Sequence, residues 1–145
     1  MTRYILALLT ALTLSVSSAF AAGQTHKLAL QVSDNDPEKM TAALNVATNV
    51  SKHYGALGDE VEIQIVAFNA GLHMLRADTS PVKERLQSFA SGMPNVAFKA
   101  CGNTLDAMAR KEGVKPGIVP NAEIVPAGVV TLMELSKQGW TIIRP

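Results

Sequence analysis

Cys101 is the only cysteine in the 145-residue chain, so it has no partner for an intrachain disulfide and no second thiol to resolve a dithiol cycle. It stands where a short β-type run, Asn95 to Ala100, passes through Cys101-Gly102-Asn103-Thr104 into a helical pattern carrying Leu105, Met108 and Ala109. A thiol at such a junction lies within a turn of unpaired backbone N–H groups, which favour thiolate, the nucleophilic form. With Asn103 or Thr104 as the expected N-cap, both become candidate ligand-binding residues beside Cys101. His73, in Gly71-Leu72-His73-Met74-Leu75, follows another strand and is a weaker candidate for moving a proton. Asn35 and Asn69 follow two further strands and complete the candidate ligand-binding set.

Other chemistries lack their residues. There is no HxH, HExxH or CxxC spacing for a metal, no GxSxG elbow and no glycine-rich phosphate loop, so neither metal nor cofactor is expected. His26 and His53 read as solvated side chains.

The elements that must position these residues alternate between short β-rich and helical runs. Lys27–Val32, Glu60–Phe68, Asn95–Ala100, Ala122–Val125 and Trp140–Ile143 read as strands. Asp36-Pro37 starts a helix whose Met40, Ala43, Leu44, Ala47 and Val50 share a face and which Gly55 is expected to end. Further helices follow Ser80-Pro81, Cys101-Gly102 and Pro126, and Leu72–Arg76 is short enough for a single helical turn. Val129, Leu132, Met133 and Leu135 are expected to form a core stripe. The polar alternation Glu62, Gln64 places the second strand at or near a sheet edge. This βα rhythm predicts an α/β, single-domain, flavodoxin-like three-layer fold with a mainly parallel five-stranded sheet and right-handed crossovers. In such sheets, groups at the carboxyl ends of the strands converge on one crevice.

The first 21 residues read as a cleavable signal peptide: Arg3, an apolar stretch from Tyr4 to Val16, and small residues at Ala19 and Ala21. Cleavage is expected after Ala21, with Ala22 as the next candidate, leaving a domain over 22–145 in the periplasm or outside the cell. Thr10, Thr13, Ser15, Ser17 and Ser18 interrupt the apolar stretch, which argues against a retained membrane anchor. Loss of Arg3 from 13 Lys plus Arg leaves 12 against 12 Asp plus Glu, a formally neutral domain. Neutrality gives no electrostatic footprint for nucleic acid.

The blocks Phe98-Lys99-Ala100-Cys101-Gly102-Asn103-Thr104-Leu105, Val125-Pro126-Ala127-Gly128-Val129 and Gly139-Trp140-Thr141-Ile142-Ile143-Arg144-Pro145 resemble the DsrE/DsrF-like family over about residues 27–145. The resemblance implies a compact α/β fold, assembly as a homo-oligomer (trimer or hexamer), and a cysteine that carries sulfane sulfur as a persulfide, which here would be Cys101. A sulfur donor or acceptor protein is then the expected partner. The other expectation is a non-catalytic, oligomeric module that binds a small molecule or protein in the strand-end cleft, with Cys101 only lining the wall.

Overall fold

A computed structural model of the chain describes residues 23–145; the expected leader and its cleavage positions lie outside them. Five strands form one parallel sheet: β1 (Thr25–Val32), β2 (Glu60–Ala67), β3 (Val96–Cys101), β4 (Ala122–Val125) and β5 (Thr141–Ile143). Their spatial order is β4-β3-β2-β1-β5. Four helices connect them: α1 (Pro37–Leu57), α2 (Lys83–Gly92), α3 (Gly102–Glu112) and α4 (Gly128–Lys137), with a 3-10 turn at Asn69–Leu75 before α2. The α/β three-layer architecture read from the sequence is the observed one.

The strand order explains the layers. From β1 to β4 the chain steps steadily across the sheet, and α1, α2 and α3 all bury residues on the same face, where Met40, Leu44, Leu86 and Leu105 join Ile63, Ile65 and Phe98. The step from β4 to β5 runs back in the opposite direction. A crossover of the same hand must then pass over the opposite face, and α4 does so, packing Leu132 and Leu135 with Val66, Phe68, Cys101 and Trp140.

One helix cannot cover the face of five strands, and this corrects two expectations. β2 lies in the middle of the sheet, not at an edge; its Glu62 is exposed because the second face is left open there. Within α4, Leu132 and Leu135 are buried, but Val129 and Met133 are 52% and 56% exposed, so the expected four-residue core stripe is only half inside. Residues 129 and 133 lie on the helix face turned away from the sheet.

Local chemistry sets the helix ends. Asp36 Oδ1 accepts from the N–H of Glu38 at 2.9 Å, and Pro37 occupies the first turn of α1, as expected. The stop is later than expected. Gly55 stays helical, whereas Gly58 takes the left-handed conformation (φ 78°) and returns its N–H to Gly55 O at 3.1 Å. Gly71 lets the 3-10 turn approach the end of β1, because a Cβ there would stand 2.3 Å from Val32 O. His26 is not simply solvated: its Nε2 is 3.0 Å from Asp59 Oδ2 and its ring stacks on Tyr54 at 3.6 Å. Among the described residues no helix is long and apolar enough to cross a membrane.

Candidate functional site: a cysteine cleft at the strand ends

The chain leaves β3 toward one face of the sheet, into α3, and leaves β4 toward the other, into α4. Such a divergence opens a crevice beyond the carboxyl ends of the two strands. A cleft of about 550 Å³ lies there, walled by the 3-10 turn after β2, one face of α3 and the start of α4. Cys101 closes its floor as the last residue of β3 and is only 5% exposed.

Two helices begin at this thiol. Cys101 itself occupies the N-cap position of α3, not Asn103 or Thr104 as expected, because the helix starts without a spacer at Gly102. The first residue of α4, Gly128, is the second close neighbour: a Cβ on it would lie 3.3 Å from Cys101 Cβ and 3.0 Å from Phe68 Cβ. Only a glycine lets the start of α4 come this close to the sulfur without displacing either side chain.

The electrostatic consequence is a thiol that ionises more easily than usual. Burial pushes its pKa up, but the Thr104 hydroxyl and the N–H groups of Gly128, Thr104 and Asn103 favour the anion and together bring it below the ordinary thiol value. Thr104 is oriented in turn: its Oγ1 accepts from the N–H of Asn69 at 3.0 Å. Asn69 holds a left-handed backbone (φ 50°), uncommon for a residue with a side chain.

Of the residues expected at the site, Cys101, His73, Asn69, Asn103 and Thr104 all line the cleft. Asn35 does not. It is exposed in the turn between β1 and α1, where the neighbouring Asp34 is engaged by Lys39 and Arg144 at 2.8 and 2.7 Å. Sequence reasoning missed Lys111 and Glu112, which line the cleft two helical turns beyond Thr104. Their spacing from Thr104, seven and eight residues, was the available signal. Glu112 is fixed by Arg76, a buried guanidinium that reaches its Oε1 at 2.7 Å and grips both oxygens of Asp78 at 2.9 and 2.7 Å. Arg76 holds the Glu112 carboxyl below its usual range. Among the described residues no group of three or more His, Cys, Asp or Glu is arranged to hold a metal ion.

Fold and site together define an open parallel α/β domain with one buried cysteine where the connections after β3 and β4 part to opposite faces of the sheet. No protein-family profile matches the chain, and no curated protein matches it by sequence. Among solved structures it is similar to the protein of unknown function MTH1491 from Methanobacterium thermoautotrophicum, at 24% identity and a TM-score of 0.69, over 83% of this chain and 99% of that one. At that identity the likeness shows the fold.

Proposed function

We propose that the domain is an exported, homo-oligomeric sulfur carrier of the DsrE/DsrF-like kind, which holds sulfane sulfur as a persulfide on Cys101. The observation that carries this reading is the convergence of two helix starts and the Thr104 hydroxyl on one cysteine, all favouring its anion. The Cys101 thiolate attacks the sulfane sulfur of a donor. The donor's S–S bond breaks, and its inner sulfur leaves with the bonding pair. An acceptor thiolate then attacks the outer sulfur of the Cys101 persulfide and regenerates the Cys101 thiolate. Both steps are exchanges between sulfur atoms and need no external oxidant, in keeping with a chain that has no second cysteine. The same N–H groups that favour the thiolate favour the persulfide anion, and His73, which lines the same cleft, is the weaker candidate for assisting proton transfer.

Intact-mass measurement of protein purified without reductant, before and after polysulfide, tests the reading. The expected result is a gain of about 32 Da per sulfur, reversed by reductant and absent from Cys101→Ser. An unchanged adduct in Cys101→Ser would overturn it and leave the cleft as a non-covalent binding pocket.

A further inference from the structure

The cleft is much larger than the transfer of one sulfur atom requires. It runs along α3, whose Thr104, Ala107, Met108 and Lys111 line it at the i, i+3, i+4, i+7 spacing of a single helix face. Seven residues of helix rise about 10 Å, the length of about three extended residues. The near end holds the sulfur. Phe68, Ala107, Met108 and Val129 give the cleft apolar lining.

Two residues of opposite charge, Lys111 and Glu112, line the cleft at the end of α3 farther from Cys101. Lys111 makes no ion pair among the described residues. Glu112 is kept ionised by Arg76 through one oxygen, and its other oxygen has no hydrogen bond among the described residues. A cation and an anion on adjacent residues suit a group bearing an ammonium and a carboxylate on one carbon, which is the free end of an α-amino acid.

We infer that the cleft takes a low-molecular-weight peptide hydropersulfide as sulfur donor, with its sulfur at Cys101 and its free α-amino-acid end between Lys111 and Glu112. This rests on the persulfide reading and names its substrate class. An inorganic polysulfide would leave the charged end unfilled, and a cysteine inside a protein segment brings no free ammonium and carboxylate to it. In the reaction, the Cys101 thiolate attacks the outer sulfur of RS–SH and the S–S bond breaks. The leaving RS⁻ takes the proton from the outer sulfur, giving RSH and the Cys101 persulfide anion.

The test compares glutathione hydropersulfide, which carries such an end on its γ-glutamyl arm, with inorganic polysulfide, following persulfide formation on Cys101 by intact mass. The wild type should saturate with the peptide donor. In Lys111→Met the ratio of peptide-donor to polysulfide rate constants should fall about tenfold, the effect of one lost charge contact, and Lys111→Arg should restore most of it. S-Methylglutathione, which cannot donate sulfur, should slow alkylation of Cys101 in the wild type and not in Lys111→Met. An unchanged rate ratio without protection would overturn the donor assignment and leave the persulfide reading standing. No Cys101 persulfide from either donor would overturn both.

Discussion

The hydroxyl of Thr104 receives the backbone N–H of Asn69 at 3.0 Å, and that bond leaves its own proton for the sulfur of Cys101. A residue on α3 is thus oriented by the strained turn after β2, so the polarity felt by the thiol depends on how two elements meet. Asn69 itself holds a left-handed backbone (φ 50°) at this contact.

Thr104→Val keeps the shape of the side chain and removes the donor. The midpoint of the pH profile for Cys101 alkylation should move up, and the rate at pH 7 should drop several-fold, as expected for loss of one hydrogen bond to a charged group. An unmoved midpoint would mean that the backbone N–H groups alone set the thiolate population.

The depressed thiol pKa also makes a statement about stability. The folded chain releases the Cys101 proton at lower pH than the unfolded chain, whose thiol titrates near 9.0. Stability from this source is absent below the folded pKa, grows as pH rises through it, and is complete above the unfolded pKa. The Tm of the wild type relative to Cys101→Ser should therefore rise between pH 7 and pH 10. A difference that stays flat or shrinks over that window contradicts a lowered pKa.

Gly128→Ala should act on stability and reactivity together. The new methyl would stand 3.0 and 3.1 Å from the Cβ and Cδ1 of Phe68 and 3.3 Å from Cys101 Cβ, so α4 must shift outward. Overpacking of this kind costs about 1–3 kcal/mol. Chemical denaturation should show that loss, and thiol labelling of the native protein should change in the same variant because the first N–H of α4 moves with the helix. Full stability with unchanged labelling would mean that α4 does not need its close approach.

Much of this arrangement is legible in the sequence. Cys101 at a strand end, the alternation of strands and helices, and Asp36-Pro37 as a helix start all follow from short-range chemistry, and each is found in the fold. What failed depended on what covers what. The wet face of β2 looked like an edge because Glu62 and Gln64 alternate with Ile63 and Ile65, yet the strand is central: on that face α4 covers Val66 and leaves Glu62 exposed. Val129 and Met133 have the spacing of a core stripe and lie outside, because only the sheet decides which side of α4 is inward. Lys111 and Glu112 were missed although their spacing from Thr104 was in plain view. A lysine and a glutamate late in a helix look like solvated residues until the opposite wall of a cleft is in place.

Parallel strands give the domain two unlike poles. All five strands end at the pole where Cys101 lies, while β1 begins at Thr25 on the other, about 26 Å away along its 8 residues. Any attachment made through the chain ahead of Gly23, whether to a resin, a fluorophore or a neighbouring molecule, holds the domain by its back. The cysteine then faces outward, which makes the amino terminus the natural handle for studying what the cleft captures.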